Sequence, residues 1–483
     1  MLLFGLLIGR LFYYVSRKLV LSLLTAEAVS PIILLSPLRN SIGSGFKPGR
    51  KLFPVFAVIF SLIFFATDSR GQAPAVSGFD PDDPPETTIR LAPYLTFGAQ
   101  IELEYMLERN LDLDDENDED RSTIEPGLSL AFSFDPSKHF QAFFVGKLGG
   151  EFQFEDGDKL DDNIILEIEQ AYLLFKWLFD KGFSFQVGRQ RFEDERQWLY
   201  DEELDAARLF YQVSDYSLEL SVSRRDLVDR DLLNNDEKER INNYILYGKY
   251  EHEEDDIETI AGAYVVFRDD RSDENDSPLL IGIHADGDLT ESIGYWLELA
   301  YAGGEEGSND VRGFGFDLGS TYEFDLALEP SITLGFAFGT GDGDPDDDVD
   351  KSFRQTGLQN NEGSFNGAAD FNYYGELFDP ELSNLLVFTV GTGINMTEES
   401  SIDLVYHYYL QHKASDSLRD SGIDADPDGD SKRLGSEIDL IIGYEGTSGL
   451  ELALKLGYFI PGDAFPSDSE NAFLTRVEIQ YEF

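Results

Sequence analysis

Residues 188–211, GRQRFEDERQWLYDEELDAARLFY, place eleven charged side chains among twenty-four positions. Four of them are arginines: Arg189, Arg191, Arg196 and Arg208. Guanidinium groups bind carboxylates through paired hydrogen bonds, and rings of Arg or Lys select anions in pores. The same charges could instead pair with one another and only tie a wall together. The secondary structure predicted around this stretch is needed to distinguish anion selection from pairing within a wall.

The composition excludes several classes of protein. The chain has 483 residues, no cysteine, 13% aromatic residues and a formal net charge of −56. Without cysteine it has neither disulfides nor thiolate metal sites, and so acidic a surface does not bind nucleic acid. The five histidines lack metal-ligand spacing, and the G-x-S-x-G and H-E-x-x-H motifs do not occur. We therefore do not expect an enzyme.

The last eleven residues, FLTRVEIQYEF, alternate between apolar and polar side chains. Val477 and Tyr481 fall on one face, whereas Arg476 and Glu478 fall on the other. This period of two predicts a β-strand with one apolar row and one mostly polar row. The strand ends on an aromatic residue, Phe483, which resembles the C-terminal signature of bacterial outer-membrane proteins.

The same alternation recurs through the chain. The predicted strands are 93–107, 124–134, 139–153, 163–177, 183–191, 206–213, 216–224, 242–250, 256–268, 278–286, 292–302, 312–323, 330–339, 385–394, 401–412, 434–445, 449–459 and 472–483. Short turns and long acidic loops alternate between them, as an up-and-down transmembrane barrel requires. We predict an all-β, antiparallel transmembrane barrel of 16–18 strands, with both termini on the periplasmic side and a water-filled lumen.

The N-terminal region differs from the rest of the chain. A basic segment, KPGRK, precedes the apolar run LFPVFAVIFSLIFFA and a group of small residues, which is typical of a signal peptide. We predict an N-terminal extension and signal peptide over 1–73, a periplasmic segment over 74–92, and the barrel over 93–483. The expected location is the outer membrane of a Gram-negative cell, in contact with lipid and lipopolysaccharide.

Basic residues occur at inner positions of the predicted strands or at their ends. The inner ones are Lys147, Arg208, Lys455 and Arg476, and those at strand ends are Arg189, Arg191, Arg224 and Arg268. A cation in a low-dielectric constriction offsets the desolvation of a passing anion. The set therefore predicts a constriction of mixed charge. For any single arginine, pairing with a neighbouring carboxylate within the wall is the alternative.

One acidic loop has the composition of a metal site. DADPDGD, residues 424–430, matches the first half of a calcium-binding loop, and its candidate ligands are Asp424, Asp426, Asp428 and Asp430. The twelfth position is Gly435 rather than glutamate, so the segment is not an EF-hand. A solvated, self-repelling surface loop is the alternative. No other cofactor is expected.

The opening stretch resembles a motif of the alginate-export family of outer-membrane porins. The matching residues are Gly188, Arg189, Gln190, Asp194, Glu195, Arg196, Trp198, Asp201, Asp205, Arg208 and Leu209. Two further segments, 353–367 and 370–385, resemble a loop region of that family. The resemblance implies an eighteen-stranded barrel that passively conducts a polyanionic polysaccharide such as alginate. It also implies lumen cations at Arg189, Arg191, Arg196, Arg208 and Arg354, with Asp194, Glu195 and Asp205 as their partners.

Two kinds of function are compatible with these features. The first is a passive export channel for an anionic polysaccharide or a related glycan, served by periplasmic export machinery, with a small-solute porin as a close variant. The second is a structural or adhesive barrel whose acidic loops bind calcium and whose lumen is plugged. Loop 340–384 is long enough to fold inward and form such a plug.

Overall fold

The computed structural model describes residues 83–114, 120–155, 158–178, 182–234, 240–254, 257–272, 276–344 and 347–483. The signal-peptide prediction and most of the 74–92 segment lie outside these ranges. The described residues belong to one compact unit. Within them, no helix combines the length and the apolar character needed to cross a membrane.

Twenty-two strands make up the secondary structure of the described residues. In chain order they are β1 (Ile89–Ala92), β2 (Leu95–Arg109), β3 (Arg121–Ser137), β4 (Phe140–Glu155), β5 (Asp158–Leu178), β6 (Phe183–Glu193), β7 (Asp201–Val213), β8 (Tyr216–Arg224), β9 (Ile241–Glu254), β10 (Ile257–Asp270), β11 (Asp276–Thr290), β12 (Ile293–Glu306), β13 (Asn309–Glu323), β14 (Ser331–Gly339), β15 (Val349–Asp350), β16 (Glu362–Gly363), β17 (Phe371–Asn372), β18 (Leu385–Thr397), β19 (Ser400–Gln411), β20 (Arg433–Gly446), β21 (Leu450–Pro461) and β22 (Ala472–Glu482).

β2–β14 and β18–β22 form a closed antiparallel barrel of eighteen strands. Consecutive strands pair with each other, and β14 pairs with β18 across loop 340–384. The barrel closes where β2 pairs with β22, from Gln100↔Glu482 to Arg109↔Phe473. Closure removes the edges of the sheet. This is necessary in a membrane because hydrocarbon offers no hydrogen-bond partner to the backbone groups of an open edge. The predicted fold and all eighteen predicted strands are confirmed.

The two faces of the barrel differ as the alternation predicts. On β14, Ile332 and Leu334 are 44% and 59% exposed on the outside, whereas Ser331 and Thr333 are 3% and 1% exposed on the inside. Because the outer row of side chains faces lipid, its exposed apolar surface is solvated by acyl chains. The inner row can be polar because it meets the lumen and the loops within it.

Several strands extend beyond the predicted apolar runs. β7 begins at Asp201 rather than at 206 and includes charged residues that the sequence alone assigned to a loop. A ladder needs apolar side chains only where it faces hydrocarbon. Strand ends that face water or the lumen therefore carry no apolar alternation that could reveal them.

The short connections lie at the end of the barrel where β2 begins and β22 ends, and the long loops lie at the other end. β1 pairs with β2 at the short-turn end. Three short strands belong to loop 340–384: β15 pairs in parallel with β13, and β16 pairs with β17. The described part of this longest loop therefore has secondary structure of its own, and its path through the barrel shapes the site.

Candidate functional site: a lumen narrowed by two loops

Two loops enter the lumen from the long-loop side. One connects β6 to β7 and comprises residues 194–200, and the other is loop 340–384. Their apolar side chains form a lumen core that consists of Trp198, Leu199, Tyr200, Phe353, Phe371, Tyr373, Tyr374, Leu377, Phe378 and Leu382, all buried. A barrel of this strand number is wider than its own wall side chains can fill. The loops therefore narrow the passage.

The two loops are bonded to each other. The Tyr373 hydroxyl donates to the Arg196 carbonyl at 2.9 Å, and the Gln355 side-chain amide donates to the Trp198 carbonyl at 3.1 Å. The ring of Trp198 stacks on that of Phe353 with centroids 5.9 Å apart. These contacts join segments that are distant in the sequence, so the constriction is a single packed unit.

Loop 340–384 is also fixed to the barrel wall. The Glu437 carboxylate on β20 accepts hydrogen bonds from the backbone N–H groups of Leu377 and Phe378, at 2.6 Å and 3.0 Å. On β13, another strand of the barrel wall, a side chain at Gly313 would overlap the backbone of Phe353. Glycine at this position allows the loop to approach the strand closely.

Arg196 lies at the edge of the lumen core. Its guanidinium carbon is 4.5 Å from the ring centre of Trp296 and 4.2 Å from that of Tyr373, and Nη2 is 3.0 Å from Asp317 Oδ2. Burial lowers its pKa and Asp317 raises it, and the balance lies above the ordinary value. The structure thus holds a charged guanidinium between two aromatic faces, a favourable position for a cation.

Arg189 and Asp205, two residues of the charged motif, are paired in the barrel wall. Arg189 Nη2 lies 2.9 Å from Asp205 Oδ2 and also donates to the Val228 carbonyl, whereas Nη1 donates to the Ile168 carbonyl at 3.1 Å. Only 4% of Arg189 is exposed. Arg191 lies 2.8 Å from Asp201. Arg189 is therefore engaged within the wall, whereas Arg191 also pairs at 3.1 Å with Asp83, which precedes β1.

The remaining residues of the motif have separate partners. Arg208 makes a bidentate contact with Glu219 at 2.8 Å and 2.7 Å, and Glu195 accepts from Lys249 at 2.7 Å. Among the residues that the structure describes, no basic side chain forms an ion pair with Asp194. Its Oδ1 accepts the backbone N–H groups of Leu199 and Tyr200 at 2.9 Å and 2.8 Å. Asp194 therefore shapes the 194–200 loop.

Arg354 fastens loop 340–384 at its entry into the lumen. It pairs with Asp276 at 3.1 Å and Asp350 at 2.7 Å, and it contacts Glu306. Burial, and then the nearby Arg419, lower its pKa to about 10, so it stays charged at neutral pH. Arg354 joins the loop to the β11 and β12 ends of the barrel.

Lys455 and Arg476 lie on the far wall, on β21 and β22. Lys455 Nζ is 3.1 Å from Glu478 Oε1, and Arg476 is 3.5 Å from Glu104 and 3.6 Å from Glu376 of the inserted loop. With the pairs above, each basic residue of the predicted site has a carboxylate partner. The lumen wall therefore has mixed charge.

A cavity of about 970 Å³ opens below the constriction on the short-turn side. Its lining is rich in carboxylates from strand ends and loops, which include Glu258, Asp286, Asp288, Glu323, Glu362 and Asp370. Trp296 stacks on Phe365 at this cavity, with ring centroids 5.6 Å apart. Sequence reasoning missed this acidic chamber. The available signal was the acidic residues beside the short turns, which alternation alone does not assign to the lumen.

The candidate calcium ligands lie on the long-loop side. Asp424 is 3.7 Å from Arg121, whereas Asp428 and Asp430 line a second cavity of about 540 Å³. Among the residues that the structure describes, no group of three or more His, Cys, Asp or Glu side chains is arranged to hold a metal ion. Calcium binding stays a prediction without geometric support.

A closed barrel with a lipid-facing apolar row and a charged lumen narrowed by loops defines an outer-membrane channel of the porin type. Comparison of sequences assigns the family. The family described as "Alginate export" matches residues 93–476. The chain belongs to this family, whose members are outer-membrane transport channels and not enzymes.

Relatives in the family carry the name alginate production protein AlgE. The protein from Pseudomonas aeruginosa is 30% identical over 173 residues, which are 33% of this chain and 34% of that protein. The protein from Pseudomonas syringae pv. tomato is 25% identical over 381 residues, 62% of this chain and 73% of that protein. The first match thus spans about a third of the relative's own length.

Solved structures share the fold at low sequence identity. Pseudomonas aeruginosa OccK7 (OpdD) has a TM-score of 0.52 at 11% identity and covers 81% of this chain and 98% of its own. OccK5 (OpdH) from the same organism has a TM-score of 0.51 at 10% identity and covers 80% and 98%. At these identities the likeness concerns the barrel fold alone.

Proposed function

We propose that the protein conducts an anionic polysaccharide of the alginate class from the periplasm through the outer membrane, passively and without nucleotide. Membership of the alginate-export family supports this proposal. The single structural observation that carries it is the position of Arg196. Among the described residues that line the short-turn cavity, Arg196 is the one basic side chain, and it lies between Trp296 and Tyr373.

The pairing of Arg196 with Asp317 suits a transient contact with a passing polymer. A guanidinium with a carboxylate 3.0 Å away is already largely neutralised and attracts a second carboxylate weakly. Conduction requires each site to bind the solute weakly enough for it to leave. The pair Arg208–Glu219 repeats the same arrangement of a guanidinium with a carboxylate partner.

The acidic chamber affects how a polyanion would enter. Its carboxylates attract counter-cations, and these cations accompany a polyuronate as its salt. A chamber lined by one sign of charge raises the local concentration of the opposite ion. In the proposed function, the polymer enters the chamber with its cations. Its carboxylates then contact Arg196 one after another. Delivery by periplasmic export machinery at the short-turn mouth is part of the same proposal.

Planar-bilayer recording with the purified protein tests this function. Oligouronate added on the short-turn side should block the wild-type current, and Arg196→Ala should weaken this block about tenfold, the effect of losing one charge-assisted hydrogen bond. Arg312→Ala is the matched control, because Arg312 is an exposed arginine that pairs with Asp310. A cation-selective current that the oligomer does not block would contradict polyanion export and indicate a small-solute porin.

A second function, a structural or adhesive barrel, is favoured by one observation. Loop 340–384 fills much of the lumen with buried apolar side chains. In that case the wild type would show no conductance, and calcium bound to Asp424, Asp426, Asp428 and Asp430 would raise the melting temperature. Conductance together with a melting temperature that calcium does not change would exclude this alternative.

A further inference from the structure

The barrel ladder splits on the long-loop half of β5. Towards the long-loop side, the pairing of β5 with β6 ends at Ala171↔Arg189, although β5 itself extends from Ala171 back to Asp158. The pairing of β7 with β8 ends at Asp205↔Arg224. Between these points, β6 and β7 pair only with each other and carry the 194–200 loop into the lumen. The wall would have an opening there if nothing else covered β5.

Residues 226–234, here called the seam panel, cover the free edge of β5. The backbone N–H of Leu232 donates to the Leu166 carbonyl at 2.8 Å, and that of Ile168 donates to the Arg230 carbonyl at 3.1 Å. The Asp231 carboxylate accepts from the Leu166 N–H at 3.3 Å. Glu167 and Asp231 form an isolated antiparallel bridge. Two backbone hydrogen bonds and side-chain contacts from Asp231 and Asn234 thus take the place of a continuous ladder.

Arg189 on β6 and Asp205 on β7 clamp the seam panel. The Arg189 guanidinium donates to the Val228 carbonyl on the panel and, at 3.1 Å, to the Ile168 carbonyl on β5. Asp205, which pairs with Arg189, accepts the Val228 N–H at 2.9 Å. These interactions depend on side chains, so a single substitution can remove them.

The seam panel separates two very different surroundings. Its exposed apolar side chains are Leu227, Val228, Leu232 and Leu233, at 59%, 61%, 56% and 57% exposure. Leu232 is opposite Leu166, which belongs to the outer apolar row of β5. Behind the panel, Arg230 pairs with Glu167 at 3.3 Å and with Glu203 at 3.2 Å. The panel therefore has lipid on one side and charged groups on the other.

We propose that the seam panel is a lateral gate, a section of wall that detaches from β5 as a unit and opens the lumen towards the lipid of the outer leaflet. Segments held by few backbone hydrogen bonds open locally at a lower free energy than continuous ladders. The closed form remains the major one, because hydrocarbon cannot satisfy the edge of β5. The proposal concerns the wall and does not depend on which solute the channel carries.

Hydrogen exchange in lipid nanodiscs tests the gate. The amides of Leu166, Ile168 and Leu232 should exchange at least about tenfold faster than those of Leu297 and Leu318, which lie in the continuous β12–β13 ladder. Asp205→Asn should accelerate the panel amides further. Glu219→Gln, a matched change on β8 away from the panel, should not. Equal protection of panel and ladder in the wild type would overturn the proposal.

Engineered disulfides give a second test, since the chain contains no cysteine. Leu166→Cys with Leu232→Cys should lock the panel, because directly opposed residues lie within disulfide range. Leu297→Cys with Leu318→Cys is the control lock between opposed lipid-facing leucines. Only the first lock should slow exchange of the panel amides, and reduction should restore it. A first lock that leaves their exchange unchanged would contradict the gate.

Access from lipid is tested with a thiol-reactive lipid probe. Glu169→Cys, next to Lys147 behind the seam, should react with the probe, and the reaction should stop when the panel is locked. Glu298→Cys, whose native side chain is buried behind the intact β12 wall, should stay unlabelled. Labelling of both variants, or of neither, would show that the panel is not a specific opening towards lipid.

Discussion

The indole N–H of Trp198 donates a hydrogen bond to the hydroxyl of Tyr374 at 3.0 Å, and both side chains are buried. Trp198 belongs to the β6–β7 loop and Tyr374 to loop 340–384. The Tyr374 hydroxyl in turn lies 3.2 Å from Asp317 on the barrel wall. This chain of contacts connects the two inserted loops to β13, so the width of the passage depends on both loops at once.

Trp198→Phe should loosen the constriction. Phenylalanine keeps an aromatic ring but removes the donor, so the loss should be about 1 kcal/mol of loop stability. Larger fluctuations of the single-channel current, measured in planar bilayers, should accompany it. Trp177→Phe is the matched control, because Trp177 is 51% exposed on the outside of the barrel. Identical traces for the two variants would contradict the role of the Trp198–Tyr374 contact.

Glu437→Gln should free loop 340–384 from β20. The carboxylate accepts two backbone N–H groups, from Leu377 and Phe378, and an amide has only one oxygen. The expected loss is roughly 1–3 kcal/mol, the penalty for a buried donor without a partner. Conductance should rise and protease should cleave the loop more readily. Glu445→Gln, at the short-turn end of the same strand, should change neither property.

Arg354→Gln should detach loop 340–384 near its entry into the lumen. The variant leaves Asp276, Glu306 and Asp350 without their shared cation. Breaking a buried ion pair costs about 3 kcal/mol, and partial exposure of the carboxylates reduces this figure. The midpoint of urea unfolding measures the loss, with Arg312→Gln as the exposed control. Equal midpoints for the two variants would show that Arg354 does not fasten the loop.

The stability of the 194–200 loop should fall as pH rises. Burial, opposed by hydrogen bonds from the Tyr200 and Leu199 backbone, raises the pKa of Asp194 from 3.8 to about 7. The folded state therefore binds the proton more tightly than the unfolded state, and its stability declines from about pH 4 up to about pH 7. Melting temperatures across this range measure the decline. Asp194→Asn should flatten it, whereas Asp310→Asn at an exposed position should not. An unchanged slope in Asp194→Asn would rule out Asp194 as its source.

The alternation of side chains along the chain was sufficient to predict the barrel. Alternation such as that of Val477 and Tyr481 against Glu478 records which side chains meet lipid and which meet the lumen, strand by strand. That requirement is local, so eighteen strands and their order could be predicted without any knowledge of contacts. The alternation ends where a strand leaves the lipid. For this reason the sequence predicted the start of β7 too late.

The arrangement of the lumen could not be predicted in this way, because it depends on contacts between distant segments of the chain. Trp198 meets Tyr374 because two loops enter the same barrel, and Arg189 clamps the seam panel because the ladder splits beside it. Glu323 and Asp286 share one chamber although each stands at its own strand end. Such contacts join residues that are far apart in the chain, and no local pattern specifies which charges will face each other. The sequence therefore shows which charges the stretch 188–211 contains, whereas the folded barrel shows which partners they have.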